Sequence, residues 1–231
     1  KKGIKKESMQ AVIIGKTNVG KSTLMNLLTN TKPEISPYGF TTKYPVVGMM
    51  NYYGVQIQII ENPAIESEFY DRGIQYTADT VLFLIKELNE INEIEEKIKD
   101  CKGKRIIVFN DFNKTKDELR KISAYLQSKK YDFVIINTLT EENLEILKEK
   151  ILQSFNNIRV YTKEPGKEKS EKPIILKPGS TVKDVAEKIL KGFSNKVKQT
   201  KIWGPSSKFP GQIVGLNHIL KDLDVGEVKT R

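Results

Sequence analysis

Gly15-Lys16-Thr17-Asn18-Val19-Gly20-Lys21-Ser22 is a G-x-x-x-x-G-K-S run, and what flanks it decides the fold. Upstream, residues 9–14 carry Ala11, Val12, Ile13 and Ile14 without a break, which predicts a buried strand. Downstream, Leu24, Leu27 and Leu28 recur at helical spacing. A glycine-rich turn between a strand and a helix is a phosphate cradle. The glycines let the backbone curl so that its N–H groups face an anion, and the helix N-terminus adds the favourable end of its dipole. Lys21 is expected to reach the β- and γ-phosphates and Ser22 to ligate Mg²⁺. Gly15, Asn18, Val19, Gly20, Lys21, Ser22 and Thr23 form the expected phosphate-binding set. A threonine is then wanted for the metal and the γ-phosphate; Thr42, in a loop just before a strand, is the candidate, although a threonine pair at a strand start also reflects plain β propensity.

Outward from this loop, strands and helices alternate. Residues 43–50 and 55–60 read as two strands around a turn at 51–54. Residues 80–85 (TVLFLI), 105–109 (RIIVF) and 132–136 are apolar runs typical of strands covered on both faces. Helical stretches lie between them: 91–99, one opened by the capping box Thr115-x-x-Glu118, and 141–154, where Leu144, Leu147, Ile151 and Leu152 face one way. Repeated strand–helix units predict an α/β fold, a mainly parallel sheet with helices on both faces. The pattern breaks near Tyr161. Residues 163–172 are charged and contain Pro165-Gly166, a linker signature. A short strand at 173–176, a helix at 182–190 and strand pieces ending at 225–229 predict a small α+β domain. The expected organisation is a nucleotide domain at 1–162, a linker at 163–171 and a second domain at 172–231.

Composition narrows the function. The 231 residues are 38% hydrophobic and 29% charged, enough for a packed core and too ordered a mix for wholesale disorder. No apolar run approaches the ~18 residues of a membrane helix, and no signal-peptide pattern is present, so no membrane partner is expected. The single cysteine, Cys101, rules out an intrachain disulfide framework and suits a reducing, cytoplasmic setting. The single histidine, His218, rules out a histidine-clustered metal site and reads as structural. Net charge is +10 and unevenly placed: residues 160–231 hold 15 basic and 8 acidic side chains, against 24 and 21 before them. That excess points to a polyanion, RNA first, with a lysine-rich solvated surface as the plainer alternative.

Phe40-Thr41-Thr42-Lys43-Tyr44-Pro45-Val46-Val47-Gly48 resembles the F-T-T-x-x-P-x-x-G switch of Obg-family GTPases. Ile158-Arg159-Val160-Tyr161-Thr162-Lys163 is similar to the segment that leaves the G domain in the developmentally regulated GTP-binding proteins. Pro173-Ile174-Ile175-Leu176, Trp203-Gly204, Val214-Gly215 and His218 to Val225 fall at spacings resembling that branch's TGS domain. The resemblance covers nearly the whole chain. It implies a Ras-like P-loop sheet followed by a ubiquitin-like β-grasp domain, binding and slow hydrolysis of GTP, and a role at the ribosome or in translation. The branch's glycine-rich, helical N-terminal region and its extra domain between the later strands have no counterpart in these residues, and the opening Lys1 reads as a shortened start.

Other motifs depart from the family pattern. D-x-x-G stands as Glu61-Asn62-Pro63-Ala64. Glu61 keeps a carboxylate that can hold Mg²⁺ through water; Ala64 keeps an N–H for the γ-phosphate without glycine's backbone freedom. Ile65 takes the place of a water-orienting glutamine, so hydrolysis needs another agent. Asn18 stands where potassium-activated relatives carry an ion-ligating asparagine, which makes K⁺ a candidate cofactor; shaping the loop is the competing role. N-K-x-D stands as Asn110-Asp111-Phe112-Asn113, at a strand end. Asp111 has no alkyl stem to lay on a base, and an amide at Asn113 replaces one of aspartate's acceptors with a donor. The loop that closes the base pocket is Asn137-Thr138. The phosphate half is intact in sequence and the base half altered, so a weak GTPase, a pseudo-GTPase acting as an RNA- or protein-binding module, and an NTPase with relaxed base preference all stay open. In the second domain Lys183, Lys188, Lys191, Lys196, Lys198 and Lys201 accompany Trp203 and Phe209, a set suited to RNA by phosphate contact and stacking. Trp203 is expected in the core, and a regulatory protein partner is the other candidate for this surface.

Overall fold

In the computed structural model, residues 4–29 and 44–230 are described. The chain divides after Phe155 into two compact units.

The first unit runs β1 (Gln10–Ile14), α1 (Lys21–Leu28), β2 (Val46–Tyr52), β3 (Val55–Glu61), α2 (Arg72–Thr77), β4 (Thr80–Ile85), α3 (Glu90–Lys97), β5 (Lys104–Asn110), α4 (Lys116–Ser128), β6 (Phe133–Ile136) and α5 (Leu144–Ser154). Its six-stranded sheet has the order β2-β3-β1-β4-β5-β6. The pairs β1–β3, β1–β4, β4–β5 and β5–β6 are all parallel, as crossover connections through helices require. On one face Val12, Phe83, Ile107 and Phe109 meet Ile74 of α2, Ile91 and Ile94 of α3, and Ile122 and Leu126 of α4. Residues of the opposite parity, Ile13, Leu82, Leu84 and Val108, are equally buried, as are Leu24 of α1 and Leu147 and Ile151 of α5. Both faces are thus covered, which is why β4 and β5 read as unbroken apolar runs. The central strands end together, and the loops after β1, β3, β5 and β6 leave from those carboxyl ends.

Details differ from the sequence expectation in explicable ways. The turn expected at 51–54 is a two-residue link, Tyr53-Gly54, both at positive φ (47° and 78°), a geometry that matches strand twist and leaves Asn51 and Tyr52 in β2. Helix α2 has only six residues, too few to show a period. The expected capping box is present: Thr115 Oγ1 accepts from Glu118 N at 3.3 Å and Glu118 reaches back to Thr115 N at 2.7 Å. Cys101 is buried, its thiol donating to the Gln75 carbonyl at 2.9 Å.

The second unit holds β7 (Ile158–Lys163), β8 (Ile174–Leu176), α6 (Val182–Ile189), a 3₁₀ turn at Phe193–Lys196, β9 (Val197–Trp203), β10 (Gln212–Val214) and β11 (Asp224–Thr230). The sheet order is β10-β9-β11-β7-β8, with β7 and β11 parallel in the middle and the other pairs antiparallel. Val182 and Val185 of α6 pack on Ile158, Val160, Leu176 and Ile202. One helix across a mixed sheet with a central parallel pair is a β-grasp arrangement. Strand β7 belongs to this sheet, so the second unit begins before the linker that the sequence placed at 163–171. After five strand–helix repeats, an apolar strand following α5 reads as one more repeat; what separates it is its partner, and Arg159 donates through its backbone N, Nε and Nη2 to Asp222 at 2.6, 3.1 and 2.7 Å.

Candidate nucleotide-binding site

The phosphate loop leaves β1 at Gly15. A Cβ there would lie 2.4 Å from the Leu84 carbonyl oxygen at the end of β4, so no other residue fits. Asn18, exposed at the loop's tip, and Gly20 both take positive φ (61° and 97°), and this is the curl that turns N–H groups inward. Gly20 caps α1 without a side-chain hydrogen bond, and no acidic residue occupies the helix's first turn. The positive end of the helix, with no acidic residue of its own, faces the loop. Lys21 is buried and donates to the Lys16 carbonyl at 2.7 Å. Burial pulls its ammonium below the usual lysine range, opposed by the Glu61 and Glu66 carboxylates. Val19 is buried; Thr23 is exposed on the first turn of α1.

Ser22 and Glu61 meet: the serine Oγ donates to Glu61 Oε1 at 2.6 Å. Two hard oxygens at the mouth of a phosphate loop suit Mg²⁺, which keeps several waters and phosphate oxygens in its shell and needs few protein ligands. Ala64 follows two residues after the fully buried Asn62 and is itself 5% exposed. Thr42 lies outside the described residues.

Two glutamates and an asparagine were not singled out in the sequence. Glu66 Oε1 accepts from Thr17 N at 2.8 Å, and Ile65 N donates to the Gly15 carbonyl at 3.2 Å, so the segment after β3 is tied to the phosphate loop. Asn62 closes that segment as a loop, donating to the Asp71 carbonyl at 2.9 Å and accepting from Asp71 N at 3.2 Å. Lys16 pairs with Glu93 at 2.6 Å, which holds its ammonium away from the loop's interior. No spacing rule marks these residues; each acts across loops that only the sheet brings together.

The base side centres on Asn110, 1% exposed. Its Nδ2 donates to the Val19 carbonyl at 3.0 Å and to Thr138 Oγ1 at 3.1 Å, and its Oδ1 accepts from Thr138 N at 3.1 Å. One amide thus ties the phosphate loop to the Asn137-Thr138 loop. The Asp111 carboxylate accepts from Lys114 N at 2.8 Å and shapes its own turn. Asn137 Oδ1 accepts from Leu139 N and Thr140 N at 2.8 and 3.0 Å. Asn113 is exposed. Phe112 lies against the loop: a Cβ built on Gly20 would be 3.6 Å from its Cζ. An aromatic ring therefore stands beside the phosphate loop.

Comparison with known proteins agrees with this geometry. Residues 10–111 match the family described as 50S ribosome-binding GTPase, and residues 158–230 match the TGS domain. An uncharacterized GTP-binding protein of Methanocaldococcus jannaschii is 29% identical, over 93% of this chain and 76% of that protein. Developmentally-regulated GTP-binding protein 2 of Bos taurus is 24% identical, over 97% and 84%. The chain belongs to the Obg/DRG-type GTP-binding proteins. The fold is shared with Era, solved in complex with MgGDPNP and a segment of 16S ribosomal RNA, at a TM-score of 0.53 and 23% identity, over 96% of this chain and 78% of that one.

Within the TGS domain, the sequence expectation for Trp203 is corrected. It is half-buried, not in the core cluster, and carries the Lys163 ammonium 4.4 Å from its ring centroid. Side chains alternate along β9, and Thr200 and Ile202 take the core face, which leaves Trp203 on the other. Phe209 is 60% exposed. Lys183, Lys191, Lys196 and Lys198 are exposed, while Lys188 donates to the Ile175 carbonyl at 2.6 Å. His218 Nε2 and Ser206 Oγ are 2.9 Å apart, beside a loop held by the buried Asp224, which accepts from Ser206 N and Lys221 N. Among the described residues no cluster of three or more His, Cys, Asp or Glu side chains forms a metal site, and no helix is long and apolar enough to cross a membrane.

Proposed function

We propose that this GTP-binding protein is Mg²⁺-dependent, hydrolyses GTP slowly, and acts in translation through structured RNA or the ribosome. The observation that carries the reading is the Ser22–Glu61 hydrogen bond at the mouth of a fully formed phosphate loop. Lys21 supplies charge to the β- and γ-phosphates, Ser22 and Glu61 hold Mg²⁺, and the N–H groups of the loop and of Ala64 receive phosphate oxygens. The metal, when bound, neutralises charge that develops on the phosphate oxygens. With Ile65 4% exposed and packed in the core cluster, no glutamine orients water. Slow turnover follows, and K⁺ beside Asn18 is the proposed assistant. The RNA role is supported by the exposed lysines of the TGS domain and by the rRNA complex of Era, a protein of the same fold.

One observation favours a second reading, relaxed base preference. The Asp111 and Asn137 side chains serve their own turns, and Asn113 replaces a carboxylate. Calorimetric titration with GDP, GTP, XDP and ATP, with and without Mg²⁺, separates the readings. Saturable, Mg²⁺-dependent GDP binding is expected, with phosphate release from GTP over a longer incubation. Equal affinity for ATP would overturn the guanine assignment.

A further inference from the structure

We infer that Glu66 is the residue that discriminates between diphosphate and triphosphate at this site, its carboxylate standing where a terminal phosphate competes for the same partners. The inference rests on the nucleotide-site reading above. Glu66 Oε1 accepts from Thr17 N, a backbone N–H of the phosphate loop itself, at 2.8 Å. Such N–H groups receive phosphate oxygens when the loop is loaded.

The position along the site follows from Lys21. A phosphate-loop lysine reaches the β- and γ-phosphates. Glu66 lies close enough to Lys21 for each to shift the other's proton affinity. Ala64, whose N–H is the proposed γ-phosphate donor, is two residues before Glu66. The carboxylate is thus at the terminal-phosphate end of the loop. Burial pushes the Glu66 carboxyl up, but the hydrogen bonds from Thr17 and the Lys21 ammonium outweigh it and hold it below the usual carboxylate range. It is an anion at neutral pH.

The carboxylate is also held in place. Ile65 N bonds to the Gly15 carbonyl, and Asn62 closes the loop on Asp71 by two hydrogen bonds. Glu66 therefore leaves the loop only by rotating its own side chain away from Thr17. A nucleoside diphosphate meets Lys21 and α1 with the carboxylate still docked. A triphosphate brings two or more negative charges beside it, and like charges at close range repel. Binding of the triphosphate displaces Glu66 and frees Thr17 N, which makes this side chain the element that reports the γ-phosphate.

The test is the ratio of affinities for GMPPNP and GDP, both with Mg²⁺, by calorimetry on the full chain. Glu66→Gln keeps the side chain's size and removes its charge, and is expected to raise the GMPPNP-to-GDP affinity ratio about tenfold. Glu68→Gln removes an exposed carboxylate two residues on and serves as the control for general charge; its ratio is expected to match the unaltered chain. An unchanged or reduced ratio in Glu66→Gln, or an equal rise in both variants, overturns the inference while GDP binding persists. An unaltered chain that binds no GDP overturns the nucleotide-site reading itself, and the inference with it.

Discussion

Ser22 Oγ donates to Glu61 Oε1 at 2.6 Å across 39 residues of sequence. The helix that follows the phosphate loop and the end of β3 are thereby tied together. Glutamate is one methylene longer than the aspartate of the family pattern, and it still arrives at the serine.

Metal dependence follows from that pair. A neutral amide at position 61 holds a divalent cation less strongly than a carboxylate does. Chelating Mg²⁺ is expected to weaken GDP binding by the unaltered chain about tenfold or more, the worth of one or two charge-assisted contacts. Glu61→Gln is expected to narrow the difference in GDP affinity between Mg²⁺ and chelator. Calorimetry in the two buffers checks both.

Asn110 joins two loops through three hydrogen bonds while buried. Asn110→Ala leaves the Val19 carbonyl and the Thr138 N–H without their partner, so unfolding free energy in urea is expected to fall by about 1–3 kcal/mol. Asn113→Ala, at an exposed position, is expected to change it by about 0.5 kcal/mol or less.

Base selectivity is expected to turn on Asn113. Xanthine carries an oxygen where guanine carries an amine, so an amide donor suits xanthine and a carboxylate suits guanine. Asn113→Asp is expected to strengthen GDP binding and weaken XDP binding, each by about tenfold or more. A wild-type preference for GDP over XDP beyond a thousandfold would show that other groups read the base.

How much of this was legible in sequence depends on the range over which each residue acts. Gly15, Gly20, Lys21 and Ser22 could be placed because a contiguous turn fixes their geometry. The strands β4 and β5 could be placed because burial on both faces leaves an unbroken apolar run. The role of Glu66 could not, since its partner Thr17 lies 49 residues away and any carboxylate two residues past Ala64 reads as solvated. The sequence places residues 158–162 in the first domain; it is their pairing with β8 and β11, and of Arg159 with Asp222 across 63 residues, that puts β7 in the second sheet. The sequence expects Trp203 in the core, whereas the strand's parity puts it on the other face, under Lys163.

The Arg159–Asp222 pair also sets an acid limit on the TGS domain. Burial pushes the Asp222 carboxyl up, and the Arg159 hydrogen bonds and charge outweigh it, so it sits below the usual carboxylate range. A carboxylate depressed on folding stabilises above its unfolded value of about 3.9 and loses that contribution as pH falls toward its folded value. With Asp222 39% exposed, solvent screening limits the contribution to about 1 kcal/mol. Arg159→Met is expected to lower stability at pH 7 and to flatten its fall below pH 4, followed by thermal unfolding across pH.

The claim that Gly15–Ser22 forms a working nucleotide-phosphate site is tested most directly by GDP calorimetry in Mg²⁺ on the unaltered chain and Lys21→Ala. The expected result is saturable one-to-one binding that weakens at least about tenfold in the variant, the loss of one or more charge-assisted phosphate contacts. Equal affinity in the two proteins would contradict it.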